Sequence, residues 1–436
     1  MPLIQKQLVL AITLALGATC AQYAQARDDM EPDSEWFEQI AKHHQKTHFD
    51  PATPPPEDFY FIDRANSRNG LSVARVLDSA VDAALASEEL SDWEKYQLEN
   101  YGLYLSSLEP GRLGTLLEQL AGSQNANLGT ATQNSMKRLH ASLLTAIRQL
   151  DNHTGEDGRV WLQGLASSGA LDAQHGSAGL KQSSQGLLLG ADGAIDDAWR
   201  VGVVGGKSGS DLSARHFNGE VDSWHLGAYA VRQDGPWALR LGALYSSHSG
   251  QNTRSVDFDF IDYRERLTGK YKAQSQNAFA ELGHRFVTDG LHAEPFAGIG
   301  FQRYHRDRFS EKGGHSALNV GTQTQQNLSS TFGLRLSRDI AVADRITLKP
   351  HLSAHWKHLY GDTNSRVRQS FARETREDFN SAFSIGGTSL DRDNLALRTG
   401  LDMRLSEHQT LSIAYTAEVG DNSRNHGLMG QWQSAF

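Results

Sequence analysis

The sequence predicts a mainly β fold, a twelve-stranded antiparallel membrane β-barrel preceded by an α-helical segment. Three observations carry this. From 159 to 436 apolar and polar residues alternate with period 2, connections between the alternating segments are short and long in turn, and the last residue, Phe436, continues the apolar parity of the final segment. Composition narrows the classes. Lys+Arg number 42 against 51 Asp+Glu, a formal charge of −9 that excludes a non-specific nucleic-acid binder. Mean hydropathy is −0.50. Outside the extreme N-terminus no apolar run approaches the length of about 18 residues that a membrane helix needs. Barrel strands escape that test, because their two parities average out.

Residues 1–26 read as a signal peptide. Lys6 supplies the basic start, Leu8 to Leu16 the short apolar core and Ala24-Gln25-Ala26 the cleavage site. Cys20 is the one cysteine, and Gly17, Ala18 and Thr19 before it fit a lipid-attachment motif poorly. Cleavage after Ala26 leaves no cysteine for disulfides, thiol catalysis or metal ligation in an exported protein. Residues 27–70 form a short polar segment broken by Pro32, Pro51 and Pro54-Pro55-Pro56, with at most one short helix around 35–46.

From 71 to 155 the period is helical. Val73, Val76, Leu77, Val81 and Leu85 make one apolar face, and Leu90, Trp93, Tyr96 and Leu98 resume it after a break near Ser87. Pro110-Gly111 opens a further helix through Leu113, Leu116, Leu117 and Leu120 to Gly122. After the polar stretch 123–134, a last helix is expected from Met136 to about Leu150, with Leu139, Leu143, Ile147 and Leu150 on one face and Asp151-Asn152 ending it.

The barrel region, 156–436, alternates throughout. Leu411, Ile413, Tyr415, Ala417 and Val419 share one parity, while Ser412, Ala414, Thr416 and Glu418 share the other. Strands must show that pattern and helices cannot hold it on one face. Strands are expected near 159–171, 178–192, 197–210, 219–233, 236–250, 272–287, 291–306, 324–340, 346–360, 391–406, 409–420 and 426–436. Asp196-Asp197, Asp234-Gly235-Pro236, Asp289-Gly290, Ala343-Asp344 and Glu407-His408 carry tight-turn chemistry. Longer charged loops are expected around 211–218, 251–271, 307–323 and 361–390. Such an alternation places one rim in the periplasm and the other outside the cell. On the last strand Leu428, Gly430, Trp432 and Phe436 share a parity, a terminal-aromatic pattern that serves as a barrel-assembly signal. Trp161, Trp199, Trp237, Trp356 and Trp432 lie near strand ends, as an interfacial aromatic girdle requires.

From about Leu71 to Phe436 the chain resembles the translocator unit of classical (type V) autotransporters. The resemblance rests on Val160-Trp161, Gly186-Leu187-Leu188-Leu189-Gly190-Ala191-Asp192, Trp199-Arg200-Val201-Gly202, Glu294-Pro295-Phe296-Ala297-Gly298, Leu390-Asp391-Arg392-Asp393-Asn394-Leu395-Ala396-Leu397-Arg398 and the closing Phe436, in that order and spacing. It implies an outer-membrane barrel plugged by the helix near 136–150, which joins a passenger outside the cell to the first strand inside. Lys137, Arg138 and Arg148 on that helix would then need lumen partners, and Glu281, Asp402 and Glu418 fall on the inward parity. The passenger would be short, 27–70 or at most 27–125, without internal repeats and too small for a stacked solenoid.

Candidate chemistry is sparse. Some autotransporters carry a Gly-Asp-Ser-Leu esterase block; the echo here, Gly387-Thr388-Ser389-Leu390, lacks the Asp and reads as a loop entering a strand. Some cleave themselves through an Asn in the threading helix. Asn134 is the candidate, although the family's Asn-Asn pair is replaced by Gln133-Asn134-Ser135 and a helix cap is the plainer role. His43, His44, His48 and Asp50 are better explained as polar linker than as a metal site. His351 and His355 read as solvated lumen residues, and no phosphate-binding glycine loop stands between a strand and a helix. The expected protein is therefore a non-enzymatic outer-membrane autotransporter without cofactor or metal. It translocates and displays its own N-terminal segment to an unknown surface ligand. Its expected partners are outer-membrane lipid, the barrel-insertion machinery and periplasmic chaperones; it is expected to be monomeric and to bind no nucleic acid. The alternative is a porin-like or adhesin barrel acting through its external loops.

Overall fold

The computed structural model describes residues 59–88, 108–149, 158–258, 263–343, 346–372 and 380–436, with isolated positions between 90 and 105. The signal peptide, the 35–46 helix, the His43 cluster, Trp93, Tyr96 and Leu150 to Asn152 lie outside the described residues. Three longer helices come first: α1 (Arg68–Ala86), α2 (Pro110–Ala121) and α3 (Gln124–Arg148). Twelve barrel strands follow: β1 (Gly158–Leu171), β2 (Leu180–Ala194), β3 (Trp199–Ala214), β4 (Phe217–Asp234), β5 (Trp237–Phe258), β6 (Tyr263–His284), β7 (Leu291–Arg306), β8 (Gln323–Arg338), β9 (Ile346–Gly361), β10 (Asp393–Arg404), β11 (Gln409–Gly420) and β12 (Ser423–Ala435). Each pairs antiparallel with its sequence neighbours, and β12 pairs back onto β1, so no edge remains open to lipid. Phe436 N donates to Gly158 O at 2.9 Å and Gly158 N to Phe436 O at 3.0 Å, fastening the seam at its last residue.

Within the bilayer zone the outward parity is apolar and the inward parity largely polar. Leu187, Leu189, Val203, Leu226, Ile299, Leu328, Leu395 and Ile413 are exposed, whereas Gln163, Gln182, Ser246, Ser275 and Gln431 are buried. Trp237, Trp356 and Trp432 belong to the outward set. Trp161 does not: it is fully buried, and its Nε1 donates to Tyr229 Oη at 2.8 Å, which corrects its expected place in the girdle. Gly190 makes room for it, since a Cβ there would stand 2.2 Å from the indole.

Two of the expected loops are not loops. β3 and β4 run on to the two-residue turn Arg215-His216, with His216 at φ 58°, in place of a loop over 211–218. β5 and β6, 22 residues each, continue as a paired hairpin through most of 251–271. The loops expected at 307–323 and 361–390 carry short strands at Phe309–Lys312, Leu318–Val320, Arg366–Phe371 and Phe383–Gly386. The reason is an inversion of the alternation. Beyond the apolar belt the outward face meets water and turns polar (Gln251, Ser255, Arg264, Arg266), while the inward face turns apolar (Val256, Phe258, Leu267, Tyr271). Charge on one parity masks a strand that still has a buried side.

The inverted inner face packs against α1 and α2. Val73, Leu77, Leu113, Leu117 and Leu120 share a core with Phe258, Leu318, Phe371 and Ile385, so the helices cap the long-loop end of the barrel. Ser67 Oγ accepts from Gly70 N at 3.1 Å and starts α1. Asn69 clamps α1 to the barrel loop, donating to Gly386 O at 2.7 Å and accepting from Gly386 N at 2.8 Å. Asp78 accepts from Phe61 N and Ile62 N at 2.6 and 3.0 Å, and burial raises its carboxyl above the usual range. Val81 and Leu85 pack against a smaller cluster of Ala84, Leu90 and Leu98.

The occupied lumen as candidate functional site

α3 begins at Gln124, well before the expected start at Met136. The turn from α2 is made by Gly122 at φ 55°, where a Cβ would also stand 2.6 Å from Leu318. The stretch 123–134 lacks helical periodicity because every side of it is buried, with Asn125, Asn127 and Thr130 bonded to polar wall and Ala126, Leu128 and Ala131 in the apolar cap core. Asn125 Nδ2 donates to Gln369 Oε1 at 2.9 Å, and Asn252 Nδ2 donates to Asn125 Oδ1 at 2.8 Å. Asn127 Nδ2 donates to Ser177 Oγ at 2.8 Å while its Oδ1 accepts from Thr388 N at 2.6 Å. Thr130 Oγ1 donates to Thr388 O at 2.8 Å. Gly387-Thr388-Ser389-Leu390 is thus a docking loop for the helix. Asn134 sits inside α3, not at its N-cap, which corrects the capping role; it is buried and its Oδ1 has no hydrogen-bond partner among the described residues.

The lower half of α3 has two faces. Leu139, Leu143, Ala146 and Ile147 pack on Trp161, Leu188, Val204, Tyr229 and Phe279. The other face is polar: Ser142 Oγ donates to Gln163 Oε1 at 2.8 Å, and Gln149 Nε2 donates to Asp402 Oδ1 at 3.0 Å and Ser412 Oγ at 2.8 Å. Arg159 on β1 donates to Ala146 O at 3.1 Å, meeting an orphan carbonyl at the end of the helix, and pairs with Asp192 at 2.8 Å. Tyr229 Oη donates to the same carboxylate at 2.7 Å.

Near the short-turn end three guanidiniums surround two carboxylates. Arg148 of α3 and Arg335 of β8 each lie 2.7 Å from Glu281 Oε2, and Arg240 of β5 lies 3.4 Å from Glu281 Oε1. Arg240 and Arg335 also reach Glu294, at 2.7 and 2.9 Å. Phe296 lies flat beneath Arg335, 3.7 Å from ring centroid to Cζ. At the long-loop end Arg254 repeats the device, pairing with Glu311 at 2.6 Å and donating to Gln119 O of α2 at 2.8 Å.

Of the residues the sequence singled out, Arg148 and Glu281 meet as an ion pair. Asp402 receives Gln149 and stands 3.7 Å from His351. Arg138 donates to Asn425 Oδ1 at 2.7 Å and to Ser135 Oγ at 3.3 Å rather than to a carboxylate. Lys137 Nζ is buried without a hydrogen-bond partner, and Glu418 forms no ion pair, among the described residues. Leu428, Gly430, Trp432 and Phe436 line up on the outward face of β12. Sequence reasoning missed Arg159, Asp192, Arg240, Glu294 and Arg335. A signal existed: Arg240 stands between Leu239 and Leu241, a charge on the inward parity of an apolar strand.

The arrangement is a wall built to hold a helix: Glu281, Glu294 and Asp192 are engaged by arginines, and Gln163, Gln369 and Asn425 accept hydrogen bonds from α3. A model of the autotransporter β-domain matches residues 160–416. The chain belongs to the autotransporter β-domain family. Among curated proteins it is similar to the extracellular serine protease of Serratia marcescens, 27% identical over 339 residues, covering 75% of this chain and 32% of that one. It is also similar to esterase EstA of Pseudomonas aeruginosa, 26% identical over 272 residues, covering 57% and 41%. The chain therefore spans well under half the length of these relatives. Its fold is like the translocator domain of the autotransporter NalP from Neisseria meningitidis, with 18% identity, a TM-score of 0.56 and coverage of 70% and 98%. This autotransporter unit is an outer-membrane translocator barrel, and the translocator domain itself is non-enzymatic.

Proposed function

We propose that the barrel carries the segment preceding α3 to the long-loop end and holds it at the cell surface, with α3 as tether and α1 and α2 as a cap. One observation supports this above the others: α3, 25 residues and so about 37 Å long, occupies the lumen with its first residues at the long loops and Arg148 near the short turns. The segment 27–70 is then the displayed passenger, joined through 71–155 to the barrel of 156–436. Periplasmic chaperones and the barrel-insertion machinery are its expected partners before assembly, with the outward row ending at Phe436 as the signal read by the latter. The assembled unit acts as a monomer in outer-membrane lipid, and its surface ligand is met by the displayed segment. The relatives named as protease and esterase are about 2.4 and 1.5 times as long; an enzymatic passenger of such a kind would act outside the barrel. The porin-like alternative needs an open lumen, and a filled one disfavours it.

Cysteine accessibility tests the reading. Arg75 on α1 and Gly111 on α2 are exposed, and Gly235 lies in a short turn with open space around it. With a membrane-impermeant maleimide on intact cells, Arg75→Cys and Gly111→Cys are expected to label, and Gly235→Cys only after permeabilisation. The reverse pattern contradicts surface display.

A further inference from the structure

Just beyond the apolar belt, one side of the barrel exterior turns basic. The register fixes its height. Phe301 of β7 lies between Ala278 and Leu328, with Leu328 on the exposed apolar face, and the next outward rung sets Arg303 between Gln276 and Gln326. Continuing outward on β6, alternate exposed positions carry Lys272 and Lys270, and Arg308 is exposed where the chain leaves β7. Lys272 lies four residues past Gln276 (276 − 272), which is about 13 Å along the strand and about 10 Å in height at a tilt of about 40°. Lys270 stands about 5 Å higher.

The nearby acid is Asp307, 3.4 Å from His305. On β3, β4 and the turn between them, two strands away, the exposed charges beyond the belt are Asp211, Glu220 and Asp222 together with Arg215, and Lys207 lies 3.8 Å from Asp222. The β6–β7 row is therefore net basic, whereas the β3–β4 side carries both signs in near balance, as a surface serving solubility does. The inward neighbours of the basic rungs, Tyr271, Ala273 and Tyr304, are buried in the cap core, so the cations stand on a rigid sheet.

We propose that Arg303, Lys272 and Lys270, edged by Arg308, bind the phosphates of the phosphorylated glycolipid that forms the outer leaflet of such membranes. The inference rests on the reading that the long-loop end faces the cell exterior. Basic residues at headgroup height attract anionic lipid, and a fixed row of three selects phosphates spaced along one molecule over diffuse counter-ions. The site would fix the rotational setting of the barrel and the side on which its cap leans towards the membrane.

The test uses the full chain purified in neutral detergent, titrated with lipid A by calorimetry, with heat-modifiable migration confirming that each variant is folded. The triple variant Lys270→Gln, Lys272→Gln, Arg303→Gln is expected to bind about a hundredfold more weakly, at about fivefold per charge. The control Asp211→Asn, Glu220→Gln, Asp222→Asn is expected to bind as the parent does, and dephosphorylated lipid A is expected to lose the affinity. Undiminished binding by the first variant, or equal binding of dephosphorylated lipid A, overturns the proposal. Full competition by inorganic phosphate at the lipid's own concentrations overturns the lipid assignment. Because the titration is done in detergent, its outcome is independent of which end faces outward; maleimide labelling decides that separately.

Discussion

Glu281→Ala is expected to be the most damaging single substitution in the lumen. It leaves buried Arg240 and the partly buried Arg148 and Arg335 with Glu294 as the one remaining carboxylate of the cluster. Removing one member of a buried ionic network costs about 3–5 kcal/mol, because uncompensated charge stays behind. Arg148→Ala should cost less, about 1.5–3 kcal/mol, since Glu281 keeps Arg240 and Arg335. Chemical unfolding of the purified barrel, followed by the loss of heat-modifiable migration, compares the two. Equal stability of Glu281→Ala and the parent would show that the cluster is not what binds α3 to the wall. The two effects should also fail to add in the double variant, because they share one network.

Deleting Phe436, the residue that follows β12, is expected to impair assembly markedly while leaving the register of the strand intact. Two seam hydrogen bonds to Gly158 disappear, along with the aromatic that closes the outward row. At about 1 kcal/mol net per bond, the closed seam loses about 2 kcal/mol, or roughly thirtyfold in its equilibrium against an open one. Quantifying heat-modifiable barrel in outer-membrane fractions measures this. Phe436→Tyr keeps both backbone bonds and the ring and should restore assembly, whereas normal yield from the deletion would remove any special role from the terminal residue.

The sequence showed the barrel well, and the reason is physical. A wall with lipid on one side and a polar lumen on the other forces period-2 alternation, so the number of strands and the closing role of β12 were legible from residues such as Leu411 to Val419. The same logic hid the upper wall. Past the belt the apolar parity moves inward, and Arg264, Arg266 and Lys270 made a paired strand look like a charged loop. It also hid the first half of α3. A helix buried on every side, partly by polar wall, shows no single apolar stripe, so Asn125, Asn127 and Thr130 read as linker although each is bonded to the barrel. Within the site, the Arg148–Glu281 pair could be anticipated from unpaired charge and parity. Arg240, Glu294 and Arg335 could not be matched to it, because their meeting depends on the register of strands β5 to β8. Trp161 misled for a related reason: a tryptophan near a strand end fits either face, and only the missing side chain at Gly190 opens the inward one.

Single-channel conductance of the full chain in planar bilayers tests the central claim, a lumen closed by its own helix. The intact protein should pass only small, brief currents, and a variant lacking 124–149 should open a stable aqueous pore. A large, steady conductance from the intact protein, unchanged by that deletion, would contradict a helix-filled translocator.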